Sequence, residues 1–360
     1  MKIAFGLGHP AHFHLYKNAM QILKKDHEIL IFISDKDILK KLLDSYNFQY
    51  SIIAQTKPNE GLYAKAKKLF FSTKRIYSEL KKNKPDLFVT CLSQLSWVSF
   101  LLNRKCIFNA EDDITYTYLQ GIITYPFVNT ILSAKVVKTW PFSFKKIGYA
   151  GYHKLAYLHP NCFIPDEKIK NSYINDKRYF IIRTVSQSAY HDINARGLDL
   201  ATLRVVINYL NKLGKVYIST EKILPQEFEQ YILNIKEEHI HHILYFADLF
   251  IGDSQSMAVE CAMLGTPSIR INNFANKISI INELEYRYHL TNSLSPKLKN
   301  KIIPLIQDIS NIERDIYRIR RDEMLKDKID VTAFLVWFIE NYPQSVRIMK
   351  ENPDYQYNFR

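Results

Sequence analysis

Short runs of β-branched, aromatic and aliphatic residues alternate along this chain with longer stretches whose apolar positions recur every three or four residues. The short runs at 2–7 (KIAFGL), 27–33 (HEILIFI), 48–54 (FQYSIIA), 86–91 (DLFVTC) and 105–109 (KCIFN) read as strands. Helix-length stretches at 13–25, 36–46 and 62–83 lie between them. Strands separated by helices specify parallel pairing with crossover connections, so the first half is expected to be a doubly wound sheet with helices on both faces.

The pattern then restarts. Strand-like runs at 178–183 (RYFIIR), 215–220 (KVYIST), 248–253 (DLFIGD) and 267–272 (PSIRIN) alternate with helical stretches near 199–213, 225–237 and 255–264. Pro225 suits a first helical turn and Gly214 a helix stop. The expected organisation is a Rossmann-like domain over 1–150, a linker over 151–177 and a second Rossmann-like domain over 178–325. A terminal segment over 326–360 completes it, whose helix VTAFLVWFIENY (331–342) has bulky residues on more than one face and is expected to pack across both domains. In such sheets ligands bind beyond the C-terminal strand ends, so the site is sought in the loops that follow strands and in a cleft shared by the two domains.

Composition narrows the possibilities. The 360 residues exceed one ordinary core, and 47% hydrophobic with 24% charged residues is the balance of a folded globular protein. Cys91, Cys106, Cys162 and Cys261 form no C-x-x-C pair, which signals neither a zinc knuckle nor a disulfide framework and suits a reducing, cytoplasmic compartment. The apolar run at the N-terminus is too short for a signal peptide. The uncharged run Ile114–Ala134 contains Gly121, Pro126, Gln120 and Asn129 and reads as buried domain structure, not as a membrane span. A net charge of +13 favours anionic partners.

The segment IGDSQSMAVECAMLGTPSIRIN (251–272) reads as strand, tight turn, helix, glycine turn, strand. Gly252 permits close backbone approach, and the turn Asp253-Ser254-Gln255-Ser256 opens a helix whose first N–H groups and dipole suit a diphosphate. Glu260, four residues beyond Ser256, offers a carboxylate that can accept two hydrogen bonds from a ribose diol. An ordinary strand–helix–strand unit with a serine cap explains the same string.

This segment resembles the nucleotide-binding segment of GT-B glycosyltransferases and of UDP-N-acetylglucosamine 2-epimerases. Together with GHPAHFHLYKN (8–18), GYHKLAYLHPNCFIPD (151–166), RTVSQSAYHD (183–192), IHHILYFADLF (240–250) and ENPDYQYNF (351–359), it resembles an uncharacterised bacterial and archaeal family related to those enzymes. The resemblance implies a GT-B-like fold of two Rossmann-like domains, with Ser254–Ser256 on phosphate and Glu260 on ribose.

Other candidates follow from the strand ends. His9, His12 and His14 lie between the first strand and the first helix, with no Cys, Asp or Glu beside them, so no metal is expected there. His12 is a candidate base or substrate contact, with helix capping as the alternative. Arg183 can pair with phosphate, and His191 lies in the loop where the epimerases carry a histidine and an arginine, although the local pattern differs; a surface loop with Asp192 as a helix cap is the alternative. Glu111, Asp112 and Asp113 cluster where the epimerases carry a working carboxylate; like charges so close raise one another's pKa, which suits a general base, and a solvated acidic turn is the alternative. Asp35-Lys36-Asp37 resembles a D-x-D string but begins a helix, and capping explains it. The stretch 62–84 carries seven lysines, one arginine and one glutamate around Phe70, Phe71 and Tyr77, which suits either an anionic membrane surface or a solvated face over a buried aromatic stripe. No nucleic-acid-binding motif accompanies this charge.

The expected function is a glycosyltransferase that moves a sugar from a UDP-type nucleotide donor onto a carbohydrate or lipid-linked acceptor in surface polysaccharide assembly, with no cofactor beyond the donor substrate. A nucleotide-sugar 2-epimerase or hydrolase and a non-catalytic nucleotide-sugar-binding scaffold are the alternatives.

Overall fold

The computed structural model describes residues 1–35, 37–55, 62–185, 198–275 and 277–360. Its contacts divide the chain into two units, one of residues 1–162 with 328–360 and one of residues 163–327. The division falls inside the stretch read as a linker, and the terminal segment is grouped with the first unit.

Unit 1 carries strands β1 (Lys2–Leu7), β2 (Glu28–Asp35), β3 (Ser51–Gln55), β4 (Leu87–Thr90), β5 (Lys105–Ala110), β6 (Thr130–Ala134) and β7 (Lys146–Tyr149). All pair in parallel, in the order β3-β2-β1-β4-β5-β6-β7. Helices α1 (Pro10–Leu23), α2 (Asp37–Ser45), α3 (Leu62–Asn83), α4 (Ser93–Leu101) and α5 (Tyr118–Thr124) are the crossovers, and α6 (Leu155–Leu158) follows the last strand. Covering both faces buries the central strands almost completely, which is why they read as continuous apolar runs. The long uncharged run resolves into α5, a 3-10 turn at Tyr125–Phe127 and the buried strand β6. At Gly6 an added Cβ would collide with Thr90 Oγ1, so glycine lets β1 and β4 approach.

Unit 2 begins with α7 (Glu167–Asn171) and carries β8 (Tyr179–Thr184), β9 (Lys215–Thr220), β10 (Leu249–Gly252), β11 (Ser268–Ile271) and β12 (Asn292–Leu294). These are also parallel, in the order β12-β11-β10-β8-β9. Helices α8 (Leu200–Leu210), α9 (Ile240–Phe246), α10 (Gln255–Leu264), α11 (Ser279–Asn282), α12 (Ile302–Ser310) and α13 (Arg314–Asp327) surround the sheet. The region expected to be helical over 225–237 instead forms a 3-10 segment, Gln226–Tyr231, and an extended return that pairs Ile232 with Ile218.

The terminal segment adds α14 (Val331–Glu340) and α15 (Gln344–Glu351) to unit 1. Asp330 caps α14 by accepting from Ala333 N at 3.0 Å. Phe334 sits against Tyr149 and Phe359, and Trp337 stacks on Tyr355 at 4.8 Å. Gln356, fully buried, accepts from Ala150 N.

Candidate functional site

Strand order reverses once in each sheet, between β1 and β4 in unit 1 and between β8 and β10 in unit 2. Crossover helices on the two sides of such a point leave in opposite directions, which opens a crevice at the C-terminal strand ends. His12 follows β1 at the first point and Arg183 and the Gly252–Ser256 turn lie at the second, while Glu111, Asp112 and Asp113 follow β5, one strand beyond β4.

In unit 2, Gly252 ends β10 in register with Arg183 of β8 on one side and Arg270 of β11 on the other. A Cβ on Gly252 would lie 2.8 Å from the Arg183 carbonyl oxygen, so only glycine fits between the arginine-bearing strands. The chain then turns through Asp253 into α10. Ser254 is the N-cap, its Oγ accepting from Met257 N at 3.3 Å, and Gly265 at φ +70° ends the helix. The N–H groups of a first helical turn point outward along the axis, so Gln255 and Ser256 present backbone donors at the crevice.

Arg183 Nη1 donates to Ser219 Oγ at 2.7 Å and Nη2 to the Glu221 carboxylate. Its buried Nε has no hydrogen-bond partner among the described residues. Asp253 is buried; Oδ1 accepts from Val185 N at 2.8 Å, and Oδ2 has no partner among the described residues. Burial raises its carboxyl to about 6, against the opposing pull of the Val185 N–H, Lys222 and Arg183. Glu260, on the second turn of α10, is buried with its Oε1 3.5 Å from His241 Nε2 of α9. A recess of about 440 Å³ opens beside Arg183, lined by Tyr173, Ser219, Thr220 and the stretch Ile232–Glu237. His191 and Asp192 lie outside the described residues.

In unit 1, His9 caps α1 by accepting from Ala11 N at 3.2 Å, and His12 Nδ1 accepts from Gly8 N at 3.0 Å. His14 lies against Tyr157. Among the described residues no three His, Cys, Asp or Glu side chains are grouped to hold a metal ion. Burial, then His9, lowers His12 to about 3, so its ring is neutral. A neutral imidazole whose Nδ1 accepts must carry its proton on Nε2. The geometry therefore gives His12 an N–H donor, which fits the substrate contact and not the base among the two roles the sequence offered.

Glu111 follows β5. Its Oε1 lies 2.8 Å from Lys154 Nζ and its Oε2 3.7 Å from His153 Nδ1. Lys154 is 1% exposed while Glu111 keeps 27% of its side chain accessible. Burial opposes the charge on Glu111, but Lys154 and then His153 outweigh it and hold the carboxyl well below the ordinary range. The expectation that Asp112 and Asp113 would raise it fails because a buried cation is closer in effect than the like charges. His153 Nε2 is buried with no partner among the described residues. Asp113 is a loop anchor: it is buried and its Oδ1 accepts from Lys138 N at 2.7 Å. Asp112 is half-buried beside it.

Sequence reasoning missed His153, Lys154, His241 and Arg270. Each works through a partner on another strand or helix, and nothing local in HKLAYL, HIHHIL or PSIRIN marks it.

The profile of a family described as protein of unknown function (DUF354) matches residues 1–281. No curated protein matches the chain. Among solved structures, the UDP co-structure of MnaA from S. aureus superposes with a TM-score of 0.67 at 9% identity, covering 96% of this chain and 98% of that one. The UDP-GlcNAc 2-epimerase from Methanocaldococcus jannaschii gives 0.61 at 15% identity, covering 87% and 94%. The spinosyn forosaminyltransferase SpnP gives 0.61 at 12% identity, covering 91% and 95%. At such identities the likeness is one of fold: two parallel-sheet, Rossmann-like units of the GT-B type. The family profile spans well over half of the sequence, and the chain belongs to the DUF354 family.

Proposed function

We propose that this protein is a glycosyltransferase that binds a UDP-type nucleotide sugar on unit 2 and transfers the sugar to a hydroxyl of a carbohydrate or lipid-linked acceptor, with no further cofactor. The observation that carries the reading is the crevice at the β8/β10 reversal, where the Gly252–Ser256 turn presents the start of α10 beside Arg183. A helix start next to a guanidinium is a site for a diphosphate. The recess beside Arg183 has room for a nucleoside, and Glu260, steadied by His241, is the ribose partner.

Transfer requires the acceptor oxygen to bond the anomeric carbon as the bond from that carbon to the diphosphate oxygen breaks and its electron pair leaves with the phosphate. The acceptor proton must go to a base as this happens. Within unit 1, Glu111 is an ionised, partly accessible carboxylate of the kind that takes a hydroxyl proton late, when the oxygen is already bonding. His12, also in unit 1, offers an Nε2–H donor of the kind that holds a substrate oxygen. The helix start and Arg183 stabilise the charge that grows on the leaving diphosphate.

A nucleotide-sugar 2-epimerase is the second reading. The carboxylate, lysine and histidine grouped at Glu111 can move protons without any acceptor, and one of the structures described above is of a UDP-GlcNAc 2-epimerase and another is a co-structure with UDP. Incubating the protein with a panel of UDP-, GDP-, CMP- and dTDP-sugars, with and without acceptor lipid or oligosaccharide, decides between them. A transferase releases nucleotide in step with glycosylated acceptor, an epimerase converts the sugar alone, and a protein that binds UDP but turns over nothing in either arm is a scaffold.

A further inference from the structure

We propose that Arg270 is a positioning residue for the diphosphate end of the nucleotide, bringing a buried positive charge to the first turn of α10 through Gln255. The proposal rests on the nucleotide-sugar reading of unit 2. Strand β11 (SIRI) is buried along its whole length, and Arg270 stands in it with no solvent exposure. Taking a guanidinium out of water is costly, so such a residue persists where its charge and its fork of donors hold something in place.

What it holds is specific. Nη1 donates to Gln255 Oε1 at 3.2 Å and Nη2 to the Phe274 carbonyl at 3.0 Å. Gln255 is the first residue of α10. Phe274 belongs to the turn after β11, which Asn272 closes by accepting from Phe274 N at 2.9 Å. One side chain thereby ties together the loops that leave two adjacent strand ends.

Register explains how the charge reaches the crevice. Arg270 and Gly252 are paired residues of neighbouring parallel strands, and paired residues share a face of the sheet. Gly252 contributes no side chain to that face. A second observation marks the same turn: Asp253, adjoining Gly252, is buried with Oδ2 unpartnered among the described residues, and in the protonated form that burial favours it carries an O–H donor for an anion there. Arg183, across the turn, shares its charge with the Glu221 carboxylate. A guanidinium in a low-dielectric strand acts over a longer range than one in water, so Arg270 adds to the helix start the positive potential that two phosphates require.

The test is a calorimetric series of uridine, UMP and UDP at fixed ionic strength on the intact protein, for wild type, Arg270→Met, Arg270→Lys and Gln255→Leu. Wild type should tighten with each phosphate. Arg270→Met should leave uridine affinity within about twofold while reducing the gain from uridine to UDP by about tenfold, and Arg270→Lys should recover part of that gain, since it keeps the charge without the fork. Equal weakening of uridine and UDP would make Arg270 a structural prop only and overturn the proposal, as would an unchanged phosphate gain. If Arg270→Met does not fold, the lysine and Gln255→Leu variants read the same gain, and full retention in both overturns it. A wild type that binds uridine and UDP alike rejects the nucleotide reading itself.

Discussion

Two titratable side chains, one in each unit, respond differently to pH. His12, lowered to about 3 by burial and by His9, should remain neutral with its proton on Nε2 from pH 8 down to about pH 4. Nitrogen NMR of labelled histidine reads this directly, and protonation near the ordinary histidine value would remove the N–H donor role. Asp253 is raised to about 6 from the ordinary 3.8, so its contribution to stability is present below pH 3.8 and is lost as the pH climbs through 6. An anion bound at the adjoining turn favours the protonated carboxyl. Affinity for a UDP-sugar, whose diphosphate does not titrate in this range, should therefore fall by up to about tenfold between pH 5 and pH 7.5. Asp253→Asn should bind with little dependence on pH. The turn that carries Asp253 was legible in the sequence because glycine, cap and helix lie side by side. The Glu111–Lys154 pair was not, because hydrophobic pattern alone reads the lysine in HKLAYL as a surface residue and its partner ends a different strand.

Strands and helices were read well where their pattern is strong and poorly where they are short. The buried runs β1, β4, β8 and β10 announce themselves, whereas β6 was hidden in a long uncharged run and β7 (KIGY) and β12 (NSL) have too few residues for any period to show. The expected helix near 225–237 fails because Pro225 sets up a 3-10 turn and Ile232 then joins the edge of β9. Two substitutions test what holds these elements. Gly252→Ala places a Cβ 2.8 Å from a carbonyl oxygen and should destabilise unit 2 by ~1–3 kcal/mol in urea unfolding, with weaker UDP binding in the folded fraction. Phe334→Ala removes a fully buried ring from between Tyr149 and Phe359 and should cost unit 1 ~3–5 kcal/mol. Its UDP affinity should stay unchanged.

Taken over the whole chain, the excess of positive charge is most concentrated in and just beyond α3. Ser72, Ile76 and Leu80 are buried at a four-residue spacing, while Phe70 and Phe71 are 66% and 55% exposed beside the exposed Lys67, Lys74 and Arg75. The buried aromatic stripe that a solvated face would need is absent at those two positions. No helix among the described residues is long and apolar enough to cross a membrane, so contact with a bilayer through α3 would be peripheral. The protein should pellet with acidic vesicles at low salt and be released by high salt, each basic residue contributing ~1 kcal/mol. The Phe70→Ser, Phe71→Ser variant should lose most of this binding, and equal capture by neutral vesicles would count against it. The division at residues 162 and 328 bears on how the molecule is made. A ribosome delivers all seven strands of the first sheet, then the whole of unit 2, before it delivers Phe334, Gln356 and Phe359 to their places under Tyr149 and Ala150. Unit 2 can therefore mature during synthesis as an uninterrupted stretch, while the unit begun first waits to be finished last and is the one exposed to chaperones and proteases in the interval.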